Sequence, residues 1–169
     1  MTRRIVGATI LALGTAVCAY VAAGQDATFS MPVPKPGPMD LCPVCGMLVS
    51  KYPNWVATLV WKDGRPKYFD GAKDVFKYLQ ALPKYAPGRR RDDVRFIVVT
   101  DFYNLEKIDA RKAFYVIGSD VMGPMGYELA PLATKADALD FFKDHKGKRI
   151  LSFDQVTPEI VAQVDTGKF

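Results

Sequence analysis

The order strand, strand, helix, strand can be read twice along this chain, and few folds accommodate it twice. In the first copy the residues from Trp55 to Trp61 alternate, with Trp55, Ala57, Leu59 and Trp61 on one face, as in a half-buried strand. Asp63-Gly64 marks a hairpin turn, and Pro66 to Phe69 is the returning strand. Asp70 stands where a helix cap belongs. Ala72, Val75, Phe76 and Leu79 then fall on one helical face, which Pro83 and Pro87-Gly88 bring to an end. Val94 to Thr100 is an apolar strand suited to the inside of a sheet.

The second copy runs from a strand at Ala113 to Ser119 through another at Tyr127 to Leu132. Thr134 caps a helix bearing Ala138, Leu139 and Phe142, Gly147 stops it, and Arg149 to Phe153 is the last strand. Moving Val75, Phe76 and Leu79 one repeat length along the chain lands on Ala138, Leu139 and Phe142, which points to duplication. Thr157-Pro158 opens one further short helix. The copies differ in how their first two strands are joined. A tight Lys62-Asp63-Gly64-Arg65 turn serves the first, and the longer Asp120-Val121-Met122-Gly123-Pro124-Met125-Gly126 loop serves the second. Neither half is large enough for a sturdy core alone, so the two are expected to pack together. The expected class is α+β, with residues 41–105 and 106–169 as tandem ββαβ halves.

The chain ahead of these halves has a different composition. Arg3-Arg4 precedes an apolar run from Ile5 to Ala23 that ends in small residues, the layout of an export signal over residues 1–24. An uncleaved membrane anchor is the alternative reading of this run. Residues 25–40 carry Pro32, Pro34, Pro36 and Pro38 and read as an extended tether outside the core. Of 23 basic residues two are Arg3 and Arg4, against 18 acidic ones, so the exported chain keeps only a small positive excess. No basic stripe with interleaved aromatics suggests nucleic acid.

Between tether and first half lies Leu41-Cys42-Pro43-Val44-Cys45-Gly46-Met47. Two thiols and a thioether within six residues suit a soft ion, above all Cu(I). Gly46 relaxes the backbone between Cys45 and Met47. Met125, beside glycine and proline in the second-half loop, is a candidate sulfur donor from the other half. Two other chemistries use neighbouring cysteines. A closed zinc site needs four ligands, yet no second cysteine pair exists and His145 is the one histidine, placed at a helix end. A thiol–disulfide redox protein would use Cys42 and Cys45, but its reactive cysteine normally opens a helix, and none begins at Cys45. No nucleophile and base set stands out for catalysis.

The run Cys-Pro-Val-Cys-Gly-Met-Leu-Val at Cys42 to Val49 resembles the opening of the NosL family. Phe69-Asp70-Gly71-Ala72-Lys73-Asp74 resembles its middle, and Phe114 to Gly126 its second half. The resemblance implies an exported Cu(I) chaperone, not an enzyme, with two ββαβ halves related to a domain of organomercurial lyases. It implies Cys45, Met47 and Met125 as ligands. Some members have a histidine where this chain has Tyr127, and Cys42 is the candidate to replace that donor. Many members are lipoproteins, and no lipid-attachment box is evident here. The expected partners are an apo copper enzyme, nitrous-oxide reductase, and a copper exporter or other copper donor. The expected location is the periplasm, soluble in preference to anchored. A periplasmic thiol–disulfide redox protein using Cys42 and Cys45 remains the alternative.

Overall fold

The computed structural model describes residues 27–169, so the expected export signal and its cleavage site lie outside the described residues. The first half contains β1 (Ala57–Trp61), β2 (Pro66–Phe69), α1 (Ala72–Gln80), the one-turn α2 (Leu82–Tyr85) and β3 (Val94–Thr100). Strand β1 lies between β2 and β3, antiparallel to both, with Ala57 opposite Phe69 and Leu59 opposite Ile97. It starts at Ala57 and not at Trp55, because Pro53 to Trp55 form a turn closed by the Trp55 amide on the Tyr52 carbonyl. Strand β4 (Lys107–Asp109) completes this sheet on the free edge of β3. Ala72, Val75, Phe76 and Leu79 are buried as the helical periodicity requires. Burial of the three larger side chains stabilises the half by about 1.5–3 kcal/mol each.

The second half contains β5 (Phe114–Ile117), β6 (Met122–Gly123), β7 (Gly126–Tyr127), β8 (Ala130–Leu132), α3 (Lys135–Asp144) and β9 (Arg149–Ser152). Its sheet has the order β8-β5-β9, the same arrangement as β2-β1-β3, so the fold is α+β with the ββαβ unit used twice. The Thr134 hydroxyl caps α3 by accepting from the Asp137 amide. Two local expectations are corrected. The segment expected as one strand from Tyr127 to Leu132 is split, and its first residue joins a small hairpin with β6. Leu139 is exposed at 41%, and Ala138 and Phe141 are the buried positions of α3. A helix over a sheet of three short strands buries only a narrow stripe. Phe141 occupies it against Phe102, with ring centroids 4.8 Å apart.

Among the described residues, the larger of two hydrophobic clusters runs through both halves, and the smaller lies between α3 and the second sheet. Phe76 of α1 packs edge-on to Tyr115 of β5 at 5.1 Å, and α4 (Pro158–Thr166) adds Ile160, Val161 and Val164. The proline-rich stretch also differs from expectation. It is extended, but Ala27 is fully buried, Thr28 bridges to Ile108, and Phe29 meets the Phe96 ring at 4.9 Å. Alternation along β1 explains this. Ala57, Leu59 and Trp61 join the core, so Thr58 and Val60 emerge on the other face, which also needs cover. Among the described residues no helix is long and apolar enough to cross a membrane.

Candidate metal centre

The cysteine segment folds into a closed turn. The Cys42 amide donates to the Met47 carbonyl at 2.9 Å, the Gly46 amide donates back to the Cys42 carbonyl at 2.9 Å, and Leu41 bridges to Leu48. Gly46 sits at φ +78°, a left-handed position that strains any residue with a Cβ. The turn points Cys42 inward, where it is 1% exposed, and leaves Cys45 half-buried. Both are free thiols.

The start of α1 faces this turn. Asp70 does not cap the helix, because Gly71 is the N-cap residue and the Asp70 side chain is engaged elsewhere. Its Oδ1 accepts from Cys45 Sγ at 3.2 Å, and Asp74 Oδ2 accepts from Cys42 Sγ at 3.2 Å. One ligand atom from each of Cys42, Cys45, Asp70 and Asp74 lies within 4.8 Å of the others. The second oxygen of Asp70 is buried and has no hydrogen-bond partner among the described residues.

Burial, with the Asp74 charge adding, pushes the Cys42 thiol far above its usual range. Burial, with hydrogen bonds to Asp70 and Asp74 adding, pushes Cys45 up to about 12. Burial also raises the Asp74 carboxyl. Both thiols therefore hold their protons at neutral pH, and a metal that binds them displaces protons.

The second half reaches the same helix through Lys73. Lys73 is only 2% exposed, and its ammonium donates to the carbonyls of Met125 at 3.2 Å and Tyr127 at 2.7 Å. The Lys73 amide donates to Glu128 Oε1 at 2.7 Å, as does the Leu129 amide at 2.9 Å. Burial pushes the Glu128 carboxyl up to about 7 against the opposing pull of these donors and of Lys73. Asp165 of α4 pairs with Lys73 at 3.4 Å and with Lys77 at 2.7 Å, and Lys77 lies 3.9 Å from Asp74. The β6–β7 hairpin is thereby fixed to the helix that carries Asp74 and that Asp70 precedes.

Of the residues expected to bind metal, Cys42 and Cys45 are brought together. Met47 supplies the carbonyl that closes their turn, and its side chain is half-buried. Met125 is 46% exposed at the hairpin tip, its backbone held by Lys73. His145 is elsewhere, at the end of α3, 3.2 Å from Asp120. Asp70, Asp74, Lys73 and Glu128 were not singled out from the sequence. The one signal for the two aspartates is their spacing of four, which places them on one side of a helix start. The thiols and thioethers offer a soft donor set, and the two carboxylates a harder one. Two cysteines and two carboxylates also match the four-ligand preference of Zn(II), and the fourfold set that was missing from the sequence is completed by Asp70, just ahead of α1, and Asp74 within it.

The sequence model of the NosL family matches residues 32–161, which take in the sulfur turn, α1 and the β6–β7 hairpin. The copper-binding lipoprotein NosL of Stutzerimonas stutzeri is 30% identical over 131 residues, or 73% of this chain. The match spans 65% of the length of that relative. Among solved structures, the copper chaperone NosL from Shewanella denitrificans is similar, with a TM-score of 0.62 and 28% identity over 76% of this chain and 97% of that one. Both relatives are named as copper-handling proteins, neither as an enzyme. By the extent of the family match, the chain belongs to the NosL family.

Proposed function

We propose that this protein is exported through residues 1–24, binds Cu(I) in the periplasm with Cys45, Met47 and Met125, and delivers it to an apo copper enzyme, nitrous-oxide reductase. Cys42 takes the place of a missing nitrogen donor. The observation that carries this reading is the convergence on α1 of a two-thiol turn and a methionine-tipped hairpin from the other half. Soft sulfur donors select Cu(I). Half-exposed Cys45 and Met125 leave the ion open to ligand exchange with a partner, as delivery requires. A copper exporter or other donor loads the site.

The thiol–disulfide alternative is disfavoured by the same geometry. A redox-active cysteine needs a lowered pKa. Burial and two carboxylates raise it for both thiols here. Competition of the reduced protein, residues 25–169, against a colorimetric Cu(I) chelator tests the reading. One tightly held Cu(I), lost in Cys45→Ser and transferred to apo nitrous-oxide reductase, is the expected result. Weak binding in the intact protein, or binding indifferent to Cys45→Ser, would overturn it.

A second reading rests on the unpartnered buried oxygen of Asp70. A carboxylate is a poor match for Cu(I) and a good one for a divalent ion. The Cys42, Cys45, Asp70 and Asp74 set therefore also accepts Zn(II).

A further inference from the structure

A cavity lies on the far side of the first sheet. It has a volume of about 350 Å³ and sits between the proline-rich stretch and the face of β1 turned away from the core. That size falls within the range of small-molecule sites. Val33, Pro34, Pro36 and Val56 provide apolar walls. Four polar side chains interrupt them: Lys35 and Ser50, which are exposed, and Thr58 and Lys107, which are withdrawn from solvent.

Each of the two withdrawn side chains is anomalous. Thr58 is 1% exposed, and its hydroxyl is buried without a hydrogen-bond partner among the described residues. Buried polar groups are normally paired, at a cost of about 1–3 kcal/mol when they are not. Lys107 is half-buried, and its ammonium donates only to the Val56 carbonyl at 3.0 Å and the Thr100 hydroxyl at 2.5 Å. It makes no ion pair among the described residues. A buried cation is ordinarily matched by an anion.

We infer that this cavity is a binding site for a small monocarboxylate with a short apolar tail, its carboxylate accepting from the Lys107 ammonium and the Thr58 hydroxyl. Lys35 and Ser50 are exposed and solvated, so the withdrawn groups are one cation and one hydroxyl, which match a single negative charge. The apolar walls call for a hydrocarbon body. Burial alone lowers the Lys107 pKa to about 8, so the cation is present at neutral pH and is lost above it. The cavity is separate from the sulfur turn and stands independently of the copper reading.

Hexanoate is a suitable probe, with hexanol as the uncharged control. Titrated into the protein at pH 7 and followed by amide NMR, hexanoate should bind saturably and shift the Thr58 and Lys107 resonances, and hexanol should not. In Lys107→Gln the affinity should fall about tenfold or more, as expected for loss of a charge-assisted hydrogen bond. Thr58→Val keeps the shape and should also weaken binding. It provides the same test if Lys107→Gln folds poorly. Cu(I) affinity should be unchanged in Thr58→Val, which separates failure here from failure of the copper reading. No saturable binding, equal binding of hexanol, or unchanged hexanoate affinity in folded variants would overturn the proposal.

Discussion

Lys73 and Met125, from opposite halves of the chain, are joined by a hydrogen bond from ammonium to carbonyl at 3.2 Å. Lys73 lies on α1 between Asp70 and Asp74, whose carboxylates accept from the two cysteines. The duplicated fold thus brings the second-half hairpin to the helix that partners the first-half thiols. Assembly of the proposed copper site is in this sense a consequence of packing the two halves.

Replacing Lys73 tests this coupling. Lys73→Met removes two bonds to hairpin carbonyls and leaves Glu128 without its cation. Loss of one partner from a buried charge cluster costs about 3 kcal/mol. Amides of Gly126 and Tyr127 should exchange faster than in the parent, and Cu(I) affinity should fall about tenfold. Both are measurable on the folded variant. Unchanged exchange at these amides would show that Lys73 does not hold the hairpin.

Glu128 sets a pH dependence. Its folded pKa of about 7 is raised above the ordinary glutamate value of 4.5, so the folded state keeps a proton that the unfolded chain releases. The contribution is fully present below pH 4.5 and is lost as pH rises to 7. Urea denaturation across this window should show stability falling with pH, by on the order of 2–3 kcal/mol from this group. Glu128→Gln should flatten that part of the profile. Asp74 shifts the same way, so the difference between parent and variant is the quantity to compare.

Asp70 separates the two metal readings. Asp70→Asn keeps the shape and removes the charge from an oxygen that has no other partner. Zn(II) affinity should fall by tenfold or more, roughly the worth of one charged ligand contact, while Cu(I) affinity changes little. Parallel chelator competitions with the two ions measure both. An equal loss for both ions would mean that the carboxylate serves the sulfur site itself.

Thr134 provides a control remote from the site. Its hydroxyl caps α3, and Thr134→Ala should lower stability by about 1 kcal/mol in urea denaturation, leaving Cu(I) affinity as it was. A change in affinity would show that stability alone moves the metal site.

Much of the fold was legible because its signals are local. Val94 to Thr100 reads as a strand from its own composition, and the α1 stripe from its own spacing. Thr134 and Thr157 cap the helices they precede. What was misread depends on residues far away in sequence. Asp70 has the form of a helix cap, but Cys45, 25 residues earlier, engages its carboxylate. Leu139 and Phe141 are both apolar, and the packing of α3 on Val116, Ala130 and Leu132 of the second sheet, with Phe102 beside them, buries Phe141. Prolines signal an extended chain correctly, but whether that chain lies on a sheet depends on Thr58 and Val60 needing cover. The sulfur pair was conspicuous by itself, whereas its carboxylate partners became visible only once α1 was set against the turn.

The central claim is that sulfur from both halves holds one Cu(I). X-ray absorption at the copper edge, recorded on the Cu(I)-loaded protein and on Met125→Leu, tests it most directly. Leucine keeps the apolar volume and removes the donor. The account predicts a sulfur-only shell in the parent that includes the Cys45 thiolate, and a shell reduced by one sulfur in Met125→Leu with weaker binding. An identical shell and identical affinity in the two proteins would place the whole site in the first half and contradict the account.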